Sequence, residues 1–141
     1  MIQHQEELRI QTRGRSAIDI GALVQEVVAA SGISTGLCTV FCCHTSASLM
    51  IQENADPAVI DDLLAWLGRI APDGHPSYTH TAEGPDDMAA HLRTALLRSS
   101  EGIPVREGRL ATGVWQGLYL VEHRAHPHSR SLIVHVLGEP Q

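Results

Sequence analysis

The sequence predicts an α+β fold, on three observations. The chain has 141 residues, 43% of them hydrophobic and 18% charged, a mixture that builds one core rather than a disordered or fibrous chain. Three stretches place apolar residues at helical spacing. Three strand-like stretches follow one another at the C-terminal end, where regular strand–helix alternation would have put helices. The expected order is β-α-β-β-α-α-β-β-β, in a single domain over residues 1–141.

Each element has a local reason. Glu7 to Thr12 reads as an opening strand, with Leu8 and Ile10 alternating against polar neighbours. Asp19 is the expected N-cap of a first helix over Gly21 to Ala30, carrying Leu23, Val24, Val27 and Val28, and Gly32 is its stop. Gly36 to Ile51 is rich in β-branched and small residues, which suggests one strand to about His44 and another over Ser48 to Ile51. Asp56-Pro57 is a strong helix start, with Asp as cap and Pro at the first position. Val59, Ile60, Leu63, Leu64 and Leu67 form the expected buried stripe of that helix. Ala71 to Pro85 is a Gly/Pro/His-rich loop, of a length that points to function. Asp86 is the expected cap of a third helix running to about Arg98, with Met88, Leu92, Ala95 and Leu96 as its apolar positions. Strands are expected at Ile103 to Val105, Val114 to His123 and Ser131 to Leu137.

Charge and composition exclude several functions. The net charge is −6, which argues against a nucleic-acid role that needs a basic stripe. No apolar run reaches the roughly 18 residues of a membrane span, and MIQHQEELRI has no signal-peptide core, so a soluble, cytoplasmic protein without membrane partners is expected. All ten basic residues are arginine. Schiff-base, Walker A and lysine-base chemistry are thereby excluded, and anion recognition falls to Arg, backbone N–H groups or a metal. Cys38, Cys42 and Cys43 are odd in number and clustered, a pattern of reduced thiols, most simply small hydrophobes of a core strand.

Nine histidines make metal ligation or proton transfer the chemistry to look for. His44 ends a strand beside Thr45 and Ser46. Asp87 and His91 lie four apart on the third helix and share a face, so the carboxylate can orient the imidazole; His80 sits on the loop entering that helix. Together His44, His80 and His91 would make an open three-ligand metal site, of the kind a catalytic zinc prefers. The start of the second helix at Asn54–Asp56–Pro57 is an anion-site candidate. Gly117 inside a strand implies a bulge or a close approach. Glu122 and His123 end that strand, and Arg124 and Arg130 flank a Pro/His turn as a diphosphate clamp. Against these stand plainer readings: a capped helix, a solvated helix pair and exposed turn histidines.

Four blocks, HTSASLMIQENADP at 44–57, YTHTAEGPDDMAAHL at 78–92, IPVREGRLATGVWQGLYLVEHR at 103–124 and SRSLIVHVLG at 129–138, resemble the YjbQ family of small bacterial and archaeal proteins, the secondary thiamine-phosphate synthases. The resemblance runs over nearly the whole chain. It implies a two-layer α+β sandwich of mostly antiparallel strands with about three helices, assembled as a homotrimer with sites near subunit boundaries. It also implies a transferase that joins hydroxymethylpyrimidine diphosphate to thiazole phosphate and releases pyrophosphate. The polar members of the matched blocks then divide by role. His91, Asp87, His44, Glu122 and His123 are the catalytic candidates. Thr45, Ser46, Asn54, Asp56, Glu83, Gln116, Arg124 and Arg130 are the candidates for holding a phosphorylated small-molecule substrate. His44, His80 and His91 are those for a divalent metal, Zn²⁺ or Mg²⁺. Gln52 and Val114 depart from the family pattern, which has Asn and Thr there. Two other functions fit the same residues: a histidine-metal hydrolase of a phosphorylated or carbonyl substrate, and a non-catalytic trimer that holds a metal or anion.

Overall fold

The computed structural model describes residues 1–141. Eleven elements follow in chain order: β1 (Ile2–Gln11), β2 (Ser16–Asp19), α1 (Gly21–Ser31), β3 (Ile33–Cys42), β4 (Ala47–Glu53), α2 (Pro57–Ile70), α3 (Asp87–Leu96), β5 (Ser100–Arg106), β6 (Arg109–Leu110), β7 (Gln116–Glu122) and β8 (Ser129–Pro140). They form an antiparallel five-stranded sheet, β1-β8-β3-β5-β6, and an antiparallel three-stranded sheet, β2-β7-β4. The predicted α+β class holds.

The two sheets share one core. Strand alternation turns Cys38, Val40 and Cys42 of β3 and Leu132, Val134 and Val136 of β8 inward, against Ala47 and Leu49 of β4 and Leu118 and Leu120 of β7. Val24, Val27 and Val28 bring α1 into the same core. Tyr119, Val121 and Met50 point the other way, and the half-buried Ile60, Leu63 and Leu64 of α2 cover them. The outer face of the large sheet keeps Leu37, Phe41 and Leu137 exposed. Leu37 stands opposite Leu137, and Phe41 opposite Ile133, in the β3–β8 register.

Several local expectations need correction. Asp19 closes β2, a strand not predicted, and Ile20 takes the cap position of α1; the Asp19 carboxylate still accepts from the Gly21 N–H at 2.9 Å. Gly32 ends α1 in the left-handed conformation, as expected. Asp56 caps α2 through the Ala58 N–H, but of the predicted stripe only Leu67 is fully buried. In α3 the buried face carries Asp87, Ala89, Ala90 and Arg93 instead of the larger apolar residues, so small alanines let this helix approach closely while polar groups meet the core. Asp86 offers no capping bond to α3; its carboxylate is taken by Arg124. β7 begins at Gln116 and leaves Val114 and Trp115 exposed in a turn. β6 is a two-residue strand, reached through Glu107 and Gly108, both at positive φ, the geometry of a tight hairpin. Gly117 admits the ring of Tyr119, since a Cβ there would lie 2.8 Å from Cε2.

Gly36 and Gly138 face each other in the β3–β8 register. A Cβ on Gly36 would fall 2.2 Å from the Leu137 carbonyl oxygen and 2.8 Å from the Gly138 Cα, both backbone atoms. Gly36→Ala is therefore expected to lower stability by about 2 kcal/mol or more, the scale of an overpacked core. Gly68→Ala, in α2 where an added Cβ meets nothing within 4 Å, should gain about 0.5–1 kcal/mol of helix propensity. Denaturant unfolding of the pair measures both; equal effects would contradict the close-approach account.

Candidate functional site

The most concentrated chemistry lies where the 71–86 loop runs into α3. His80 Nε2 is 2.6 Å from Asp87 Oδ2, and His91 Nε2 is 3.0 Å from the same oxygen. The ligand atoms of these three residues lie within 4.8 Å of one another, a set able to hold a metal ion. The His80 and His91 side chains are 41% and 33% exposed, while Asp87 is almost fully buried, so the group is fixed from below and open above.

Asp87 is held by Arg124, whose guanidinium donates to Asp87 Oδ1 at 2.8 Å, to Asp86 Oδ2 at 3.0 Å and to the Glu83 carbonyl at 3.1 Å. Burial alone would raise the Asp87 pKa, but the hydrogen bond from His80 and the charges of His91 and Arg124 outweigh it and hold the carboxyl below its ordinary range. Asp86 behaves likewise: burial opposes ionisation, yet the Ala125 N–H and Arg124 draw its pKa down to about 2. His91 Nδ1 lies 2.9 Å from the carbonyl oxygen of Thr45. A carbonyl oxygen only accepts, so Nδ1 keeps its hydrogen and Nε2 is the atom presented to Asp87.

The structure separates the other sequence candidates from this group. His44 is not in the metal-capable set, where Asp87 stands instead; its Nε2 accepts from the Ser131 N–H at 2.8 Å. Thr45 contributes its carbonyl. The Ser46 carbonyl accepts from Arg130. Arg130 is buried and paired with Glu122, whose carboxylate also accepts from Thr12 Oγ1 at 2.6 Å and the Arg124 N–H at 3.2 Å. The expected Arg124–Arg130 diphosphate clamp is thus closed by carboxylates, because each guanidinium already has its anion. The start of α2 is closed in the same way: Asp56 and Glu53 carboxylates accept from the Ala58, Ala55 and Asp56 N–H groups. Asn54 and Gln116 brace the Thr112–Gln116 turn, with Asn54 Nδ2 donating to the Gln116 carbonyl and Gln116 Oε1 accepting from the Gly113 N–H. His123 is buried against Ser48 Oγ at 2.9 Å.

Sequence reasoning missed Arg93, Arg15 and Asp73. Arg93 is buried on α3, with its guanidinium donating to the carbonyls of Ala71 and His123, and Asp73 pairs with both Arg15 and Arg93. The one signal in the sequence was an arginine at helical spacing from Ala89 and Ala90.

His123 generates a pH prediction. Burial foremost, then the positive charges of Arg93 and Arg130, lowers its pKa to about 4 from 6.5. Below pH 6.5 the unfolded chain takes up a proton that the folded chain refuses, so stability falls with pH until about pH 4. The loss is on the order of 3 kcal/mol for this one residue. His44, lowered mainly by burial, adds to the same window. Denaturant unfolding between pH 7 and 4.5 should show this slope, and His123→Asn should remove the larger part of it.

The comparisons agree with one another. The family model described as "UPF0047 protein YjbQ-like" matches residues 6–139. A UPF0047 protein of Synechocystis is 54% identical over 137 residues, covering 97% of this chain and 93% of the relative. UPF0047 protein YjbQ of Escherichia coli O157:H7 is 43% identical over 107 residues, covering 76% of this chain and 77% of the relative. Among solved structures, a YbjQ-like protein of unknown function from Sulfolobus solfataricus aligns with a TM-score of 0.86 at 28% identity, over 98% of this chain and 100% of that one. A YjbQ/UPF0047 protein from Clostridium acetobutylicum aligns with a TM-score of 0.82 at 36% identity, over 97% of this chain and 100% of that one.

Proposed function

This chain belongs to the UPF0047 YjbQ-like family, and on that premise we propose that it is a metal-dependent enzyme of small phosphorylated substrates centred on His80, Asp87 and His91. One observation carries the reading. With Nδ1 donating to the Thr45 carbonyl, His91 turns its other ring nitrogen, Nε2, to within 3.0 Å of the Asp87 oxygen that His80 Nε2 also faces at 2.6 Å. Three ligand atoms thus converge on one open point with a buried carboxylate beneath, the arrangement that a bound cation requires. Two imidazole nitrogens and one carboxylate suit Zn²⁺ or a similar transition ion; Mg²⁺ prefers oxygen donors throughout.

A bound ion would supply Lewis-acid polarisation of a phosphoryl or carbonyl oxygen. The remaining work belongs to the chain. Asp87 would share the ion with both imidazoles, Arg124 fixes Asp87, and the Thr45 carbonyl, accepting from Nδ1–H, orients the His91 ring. A cavity of about 410 Å³, lined by His75, Tyr78, His80 and Pro85 among others, adjoins the group and leaves room for a small ring.

The reaction we propose is the one the resemblance implies. The C–O bond to the diphosphate of hydroxymethylpyrimidine diphosphate breaks, and pyrophosphate leaves with the electron pair. The thiazole nitrogen lone pair then forms the new C–N bond of thiamine phosphate. A hydrolase is the second reading, favoured by the imidazole-rich donor set and by the prior engagement of Arg124 and Arg130 with carboxylates.

One assay separates these readings. Protein loaded with Zn²⁺, Mn²⁺ or Mg²⁺ is given both substrates, then the diphosphate alone. Thiamine phosphate is expected, falling at least about tenfold in His91→Ala and Asp87→Asn. Phosphate or pyrophosphate release without that product would assign the hydrolase. Stoichiometric metal with neither product would leave a binding trimer.

The homotrimer is also proposed, with the exposed Leu37, Phe41 and Leu137 on the outer sheet face as part of its contact. Light scattering should give three times the 15.3 kDa chain mass, and Leu137→Glu should lower it. A monomeric wild type contradicts this.

A further inference from the structure

Arg93 and Arg15 meet on the far side of α3 from the metal-capable group. Arg93 lies two residues beyond His91, about 200° around the helix. Both guanidinia donate to the His123 carbonyl, from Arg15 Nε at 3.3 Å and from Arg93 at 3.4 Å, and both pair with Asp73. They line a cavity of about 110 Å³ between α2, α3 and the end of β7, walled by Leu64, Leu67, Gly68 and His123. A single water needs roughly 10–15 Å³ by this measure, so the space admits several waters or one tetrahedral anion.

Two features of this cavity are unbalanced. Arg93 is only 4% exposed, yet its Nε is a buried side-chain polar atom with no hydrogen-bond partner. An orphaned donor on a buried cation is costly. The charges do not cancel either. Two guanidinia share the one carboxylate of Asp73, while Glu122, which also lines the cavity, is paired with Arg130. Counted by direct ion pairs, one positive charge is left over; the next carboxylate that acts on Arg93, Asp86, is bound by Arg124. A water would fill the donor but not the charge. Arg15, 39% exposed, is the lining residue through which the cavity meets solvent.

We propose that this cavity binds a small oxyanion of the phosphate class, with Arg93 Nε–H and the Arg15 guanidinium as its donors. An oxyanion supplies both the missing acceptor and the missing negative charge, in charge-assisted bonds that suit the planar guanidinium. The site is independent of the metal reading, and no residue is shared between the two.

The test uses inorganic phosphate and EDTA-treated full-length protein, with chloride at matched ionic strength as control. The ¹H–¹⁵N resonance of Arg93 Nε–H should shift saturably with phosphate and not with chloride. Arg15→Gln should weaken binding at least about tenfold, the scale of one lost charged hydrogen bond. Arg93→Lys should do the same, and Arg15→Gln decides the matter if Arg93→Lys fails to fold. His91→Ala should bind phosphate as the wild type does. The proposal is overturned by an unshifted Arg93 signal, by an equal response to chloride, by unchanged affinity in Arg15→Gln, or by loss of binding in His91→Ala.

Discussion

The Glu122 carboxylate has no solvent exposure, and the positions of four chain segments follow from what satisfies it. Thr12 reaches it from just beyond the end of β1, Arg130 from β8, and the Arg124 N–H from just past β7. Arg130 then extends the network to the Ser46 carbonyl before β4. A buried charge stripped of its partner is among the costlier defects a domain can carry, so these segments meet in one arrangement. Hydrogen bonding to Arg130 and Thr12 overcomes the burial that would otherwise raise the Glu122 pKa, and the carboxyl stays ionised below its usual range. Arg124 leaves this junction with its backbone fixed, and its side chain projects to Asp86 and Asp87. The geometry of the histidine group is thus set by a charge that never touches it.

Arginine is used here as an interior building block. The planar fork lets Arg93 and Arg130 be almost fully buried while donating to carbonyls and carboxylates at once, which the point charge of a lysine does less well. The same property removes Arg124 and Arg130 from the supply of free anion binders. Where a guanidinium has a carboxylate of its own, as Arg130 has Glu122, or two, as Arg124 has Asp86 and Asp87, no capacity remains. At Asp73 two share one, and the surplus sits in the wall of a cavity.

What could be read in the sequence was what local chemistry decides. Asp56-Pro57 as a helix start, Gly32 as a helix stop and the alternation of Leu8 and Ile10 all depend on neighbours in the chain. The pairing of Asp87 with His91 was visible for the same reason, being a helical i,i+4 relation. β2 and β6 were missed because each is short and exists only through its partner strand. The buried face of α3 was misplaced because its partners are the Arg124 and His123 end of β7, distant in sequence, so polar residues face inward where apolar ones were expected. His44 was a reasonable third ligand on residue type; only the fold shows its ring turned to the Ser131 N–H, with Asp87 completing the set.

Residues 71–86 join α2 to α3 without regular structure, yet charged residues pin both of their ends. Asp73 is tied to Arg15 and Arg93, Asp86 is tied to Arg124, and the Tyr78 hydroxyl closes the interval on the Pro72 carbonyl at 2.9 Å. The sandwich beneath is held by apolar burial, which responds to heat and denaturant. The loop is held by ion pairs of unequal exposure: Arg15 and Asp73 are 39% and 34% exposed, whereas Asp86 is buried beside Arg124. The two ends of the loop therefore answer to salt unequally. Screening by salt falls on the Asp73–Arg15 end, while the Asp86–Arg124 end beside the histidines stays closed.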